Sequence, residues 1–396
     1  MNFIEGVRAT QPCVERTCSP RCARLRKPLT LLLGKRDRRD KEMVDSLSKL
    51  EQFYNTSGQW VYIAPVSGVV LTEAVRKEFK IRRVLLVDAG KLPYIRKRIG
   101  LPVRLSQIKR QLRRDEFFSS SQTFAVVRHT NSPPKEALSV CRRLVQDELT
   151  ILAVSQLGFM KRRFGAFPRL QGSAPPGQIR DLLHSRVGPQ SLLSGESVGK
   201  IMPLRLDQLW KDYHRKAFFF RLLKVINGEI MVAQSWRKAI ERAAILVGQS
   251  FCSTEIAKSF LWNVIALETL LIEKRDKITT ALPKRAEAFL GWVGFWEIEN
   301  YPNRIEEIYR KRSAFVHEGK REDITIEDLL FTDDLLFNLL LNLLRHLKLF
   351  SSRQAVTEFS KKVEAEKILG ISSRVRPKTL IFVSRGYSQE DLTKIM

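Results

Sequence analysis

Between Leu335 and Phe350 the chain reads LLFNLLLNLLRHLKLF, apolar on most of a helix's circumference. A helix greasy nearly all round must be buried among other helices or against a second copy. The run is shorter than the about 20 apolar residues that cross a bilayer. It is also interrupted by Asn338, Asn342, Arg345, His346 and Lys348, so a membrane span is not expected. Just upstream stands Thr325-Ile326-Glu327-Asp328. Acid at the start and base at the end suit the helix dipole, giving one helix over Thr325–Phe350. The rest of the fold has to surround it.

The neighbouring sequence supplies helices to do so. Ile230–Val247 and Glu255–Ile272 carry helical periodicity, the second capped by Ser253 or Thr254. Thr279–Leu290 follows, closed by Gly291. Arg304–His317 is the next helix: Asn303 can cap it, Glu306 stands at the capping-box position and Gly319 lies just beyond. Gln354–Leu369 is the last, before a basic tail with one expected strand, Thr379–Val383. The expectation for 230–370 is an antiparallel helical bundle, with 371–396 as tail.

Residues 46–229 have a different texture. Trp60–Ile63, Gly68–Leu71, Arg83–Val87 and Thr123–Arg128 are β-rich runs. Ser132-Pro133-Pro134 then breaks the chain before an amphipathic helix over Lys135–Leu157. The Gly-, Pro- and Ser-rich stretch 158–202 reads as loops, and helix resumes over Leu206–Val225. Gly195-Glu196-Ser197-Val198-Gly199-Lys200 is one residue too short for a phosphate loop. Residues 1–45 read as a basic, weakly ordered extension. Its Cys13, Cys18 and Cys22 lack a fourth ligand for a tetrahedral metal site. The fold class expected is α+β: a mixed front domain followed by an all-α bundle.

Charge divides the same way. The chain has 69 Lys and Arg against 42 Asp and Glu, a formal +27. Residues 1–250 hold 46 of the bases and 21 of the acids, whereas 251–350 hold 14 and 16. A basic front half favours a polyanion, with RNA ahead of a membrane. Candidate phosphate contacts are Arg110, Arg113 and Arg114, and Lys161, Arg162 and Arg163. Few cysteines and no signal-like amino terminus point to the cytoplasm. His129, His184, His214 and His346 are scattered and read as surface or helix-end residues. No metal and no cofactor are expected.

The chemistry-bearing segment is Tyr309-Arg310-Lys311-Arg312-Ser313-Ala314-Phe315-Val316-His317-Glu318-Gly319. Its helix has an apolar stripe at Ile305, Ile308 and Phe315, and Arg312 falls inside that stripe. A guanidinium there must meet a buried acid, an interface or a ligand. His317 lies five residues on, about 140° round a regular helix. Only a frayed last turn would let it swing back toward Arg312. Together, His can move a proton of a 2′-hydroxyl or leaving oxygen while Arg holds phosphorane charge. Glu268, at the edge of its own helix's apolar face, is a candidate to orient Arg312. It could equally reach water, Lys284 or Arg285.

The segment resembles the Apea-like branch of the HEPN superfamily, whose motif helix carries Tyr-x-x-Arg-Ser-x-x-x-His-x-Gly. Ile265–Leu271, Ile278 and Lys284–Gly291 resemble that family's preceding helix pair in the same order. The likeness covers roughly residues 230–350. It implies a bundle that dimerises through the motif helix and cleaves RNA without metal, with a role in bacterial defence or stress response. Arg312 and His317 would then be the catalytic pair, supported by Glu268, Ser313 and Tyr309. Many HEPN members carry Asn, Asp or His after the Arg; here it is Ser313, as the Apea-like branch tends to have. The alternative reading is a catalytically silent dimerisation and nucleic-acid-binding module.

Overall fold

The computed structural model describes residues 46, 48, 49, 52, 56–101, 107, 110, 121–162, 168–170, 177–185, 191–198, 203–253, 255–289, 301–371, 374–383, 386–388 and 390–392. The chain divides into two units, Met1–Asn55 and Thr56–Met396. In the first, residues 46, 48, 49 and 52 are helical and exposed. The expectations for 1–45, Arg113, Arg114, Arg163 and Gly291 lie outside the described residues.

The second unit is α+β. A largely antiparallel sheet comes first, followed by packed helices. Its strands are β1 (Gly58–Ser67), β3 (Glu78–Lys80), β4 (Leu85–Asp88), β5 (Thr123–Ser132), β6 (Arg169–Leu170), β7 (Gly177–Ser185) and β8 (Ser191–Val198). They run in the order β3-β4-β5-β1-β7-β8, with β6 also pairing β1. Separately, β2 (Val69–Leu71) pairs in parallel with β9 (Leu204–Leu206). Central β1 is buried from Trp60 to Ala64 without alternation, as a strand covered on both faces must be. Val61 and Ile63 share a core with Leu92, Ile95 and Ile99 of a helical turn. Helix α1 (Pro134–Ala153) packs on β1 and β5.

The stretch expected to be loops contains the β7–β8 hairpin, and the phosphate-loop look-alike begins inside β8. Gly and Ser composition masked a strand pair whose partner, β1, lies more than a hundred residues away. The helix expected over Leu206–Val225 is instead β9, α2 (Gln208–Lys216) and α3 (Phe219–Ile226). Asp207 caps α2 by accepting from the Trp210 N–H at 3.0 Å.

The helical part continues with α4 (Gln234–Cys252), α5 (Ile256–Leu271), α6 (Ile278–Phe289), α7 (Tyr301–Glu318), α8 (Ile326–Arg345) and α9 (Arg353–Ile368). The central helix α8 is buried on nearly every side, and its capping box joins Thr325 and Asp328. Sheet and bundle meet where α1 lies on α4. A Cβ added to Gly248 of α4 would stand 1.9 Å from the Thr150 carbonyl oxygen, so only glycine lets the two backbones approach.

Residues 379–383 are not a sheet strand. They are hydrogen-bonded by α8 instead. Asn342 donates to the Ile381 carbonyl at 2.8 Å and accepts its N–H at 3.1 Å. Asn338 does the same for Val383, at 2.9 and 2.7 Å. Four helical residues rise about 6 Å and two extended residues span about 6.6 Å, so an i, i+4 pair of amides matches every second residue of a strand. The two asparagines that interrupt the greasy helix thus imitate, with their side chains, the edge of a strand.

Candidate active site

Helix α7 carries the motif. Ile305 and Ile308 are buried, and Ile308 joins a core with Phe260 and Val264 of α5 and Leu329 of α8. Phe315 packs against that core from the edge, as do Tyr387 and Leu392 of the tail. Two cations tie α7 to the start of α8. Arg304 Nη2 donates to Asp328 Oδ1 at 2.7 Å, and Lys311 Nζ to Oδ2 at 2.9 Å. Helix α7 begins at Tyr301, so Asn303 lies within it and is not its cap.

Arg312 occupies the stripe and meets Glu268 of α5. Nη2 donates to Oε2 at 3.3 Å. Nε lies 3.2 Å from Oε1, but neither atom has hydrogen-bond geometry. The two side chains are 19% and 16% exposed, so the pair is half-screened. Burial pushes the Glu268 carboxyl above its ordinary range, and the charge of Arg312 only partly offsets this. Lys284 and Arg285 are engaged elsewhere, with Glu364 and Asp276. The Tyr309 ring lies 5.8 Å from the Arg312 guanidinium carbon. Tyr309 and Ser313 also line an open cleft of about 670 Å³ with Thr279, Asn303, Glu306 and Arg310.

His317 is exposed on the last turn of α7. The helix stays regular to Glu318 and ends at Gly319, whose φ is 73°. The last turn is therefore not frayed, and on a regular helix His317 points about 140° away from Arg312. Within one chain Arg312 meets Glu268, while His317 turns outward.

The basic candidates separate. Arg110 is exposed. Lys161 is half-exposed and paired with Asp391. Arg162 is a correction: it is 1% exposed and held by Asp333 and Ser250, so it cannot reach a nucleic-acid phosphate. Its partner Asp333, on α8, is itself fully buried. His214 also departs from the surface expectation, lying 1% exposed among aromatic rings. Among the described residues no three His, Cys, Asp or Glu are grouped to hold a metal. Nor is any helix among them long and apolar enough to cross a membrane.

Glu148, in the middle of α1, is a buried carboxylate that accepts from the N–H groups of Arg82, Arg83 and Val84 at 2.9 to 3.2 Å. Its sequence context, an acid ahead of Leu149, Thr150 and Ile151, is an ordinary helix pattern and carries no local sign of burial. No protein-family model matches this chain, and no similar curated protein or solved structure was found.

Proposed function

We propose that the protein is a metal-independent endoribonuclease of the cytoplasm that acts as a homodimer through α7. The supporting observation is Arg312, set in an apolar stripe and oriented by Glu268, with an exposed His317 on the same helix. Arg312 would hold the charge that builds on phosphorus, and Tyr309 and Ser313 would position the strand in the cleft they line. Because Arg312 and His317 diverge within one chain, two α7 helices facing each other would bring the His of one copy to the Arg of the other. In-line cleavage also calls for a base and an acid, and a dimer offers two His317 side chains. Capture of RNA would come from the basic front half. A role in bacterial defence or stress response belongs to the same reading, resting on the motif's likeness to Apea-like HEPN domains.

A second reading has its own observation. The same regular helix that turns His317 from Arg312 suits a silent dimerisation and RNA-binding module. Incubating the purified protein with RNA in EDTA and reading the product ends separates the two. Cyclic 2′,3′-phosphate ends support the nuclease, and tight binding without any cleavage supports the module.

A further inference from the structure

A second concave site lies between α2, α3 and the end of α8. It has a volume of about 370 Å³, within the range that holds small ligands. Arg215, Lys216, Arg221, Lys224 and Arg345 line it, and among the described residues no carboxylate does. Like charges gathered round one concavity repel, and a bound anion relieves that repulsion.

We propose that this cleft binds a phosphate group, carried on a ligand the size of a mononucleotide. Three observations converge on it. The first is the charge. Arg221 Nη1 donates to the Leu344 and Arg345 carbonyls at 3.4 and 3.2 Å, which places its guanidinium at the wall. The side chains of Lys216 and Lys224 make no hydrogen bond or ion pair with the described residues, so their ammonium groups are available. The second is the start of α3. Phe218 at its N-cap supplies no side-chain bond and its first turn holds no acid, so the amide end of the helix is left for an anion. The third is His214 at the back of the cleft. It is buried, and its ring lies against the Ser155 backbone without strict hydrogen-bond geometry. Burial pushes its pKa down to about 3, against a smaller opposing pull from the Ser155 backbone, so the ring at the wall is a neutral imidazole. Trp210 and Phe219 hold the ring in place, with centroids 4.9 and 5.3 Å away. Arg215 is shared with Asp212, so it contributes least.

The site goes beyond the ribonuclease reading and does not depend on it, because no residue of α7 lines it. The test is calorimetric titration of the full-length protein with AMP, inorganic phosphate and adenosine. AMP should bind, phosphate more weakly, and adenosine not at all. Lys216→Ala/Lys224→Ala should weaken AMP at least tenfold with the unfolding midpoint unchanged. The control Lys80→Ala/Lys97→Ala, which removes two exposed charges elsewhere, should leave binding as it was. Competition then identifies the natural source. Displacement of AMP by a 5′-phosphorylated oligoribonucleotide but not its 5′-hydroxyl form assigns the site to an RNA end, and displacement by neither assigns it to a free nucleotide. Adenosine binding as tightly as AMP, equal losses in both double variants, or no binding of either phosphate compound would each overturn the proposal.

Discussion

Arg162 and Asp333 face each other in the interior through two bonds, Nε to Oδ2 at 2.7 Å and Nη2 to Oδ1 at 2.9 Å. One comes from the segment after α1 and the other from the middle of α8, so the pair joins the sheet's helix to the bundle. Asn263 also donates to Asp333 at 2.8 Å, and Phe251 lies under the guanidinium at 4.1 Å. Removing Arg162 would leave a buried carboxylate uncompensated, which costs about 3–5 kcal/mol. Arg162→Ala should therefore lower the urea midpoint sharply. Replacing both partners by Met and Leu should recover part of the loss. RNA affinity, measured on the folded fraction, should not change.

The tail gives a second expectation. Asn338→Leu/Asn342→Leu keeps the helix apolar but removes four hydrogen bonds to residues 381 and 383, each worth about 1 kcal/mol. The tail should come away while α8 stays formed. Hydrogen exchange at the Ile381 and Val383 amides should accelerate, and trypsin should gain access after Lys378. Unchanged protection of both amides would show that the side-chain ladder does not hold the tail.

A third expectation follows from Glu268. Its carboxyl is raised by burial in the folded protein, so folding favours its protonated form. That contribution is fully present below the ordinary carboxyl pKa and is lost as pH rises through the raised value. Wild type should therefore gain stability relative to Glu268→Gln as pH falls from near 7 towards 4.5. Denaturant midpoints of both proteins across that window check the sign. A difference that is flat, or that runs the other way, would mean that Arg312 outweighs burial.

What was legible in the sequence was what local pattern controls. The greasy run announced a buried helix, although it ends at Arg345 and a turn follows to Leu349, and the stripe at Ile305, Ile308 and Phe315 marked the buried face of α7. What was hidden depended on partners distant in the chain. Nothing local marks Arg162 as an interior residue, because its partners Asp333 and Ser250 lie 171 and 88 residues away. Asn338 and Asn342 looked like flaws in an apolar helix because their partner is a main-chain segment some forty residues on. The β7–β8 hairpin escaped because Gly and Ser tell of turns, whereas its pairing to β1 is long-range.

The last expectation concerns the chemistry at α7. If Arg312 and His317 cleave RNA, the nucleophile is the substrate's own 2′-hydroxyl, so DNA should be inert and the ends should be 2′,3′-cyclic phosphates. EDTA should not slow the reaction, because the proton transfers fall to His317 and the charge to Arg312. His317→Ala should cost roughly 10²–10⁴-fold in rate, the usual worth of one acid–base group. Arg312→Lys should also slow cleavage, since an ammonium cannot reproduce the planar two-point grip on phosphate or on Glu268. Mixing the two inactive variants tests the site across the dimer. If the His of one copy serves the Arg of the other, a heterodimer of Arg312→Lys with His317→Ala keeps one Arg–His pair across the interface, with one of the two His317 side chains, and should regain part of the activity. Recovery would place catalysis between chains. Cleavage that persists in His317→Ala, or that stops in EDTA, would remove these residues from the reaction altogether.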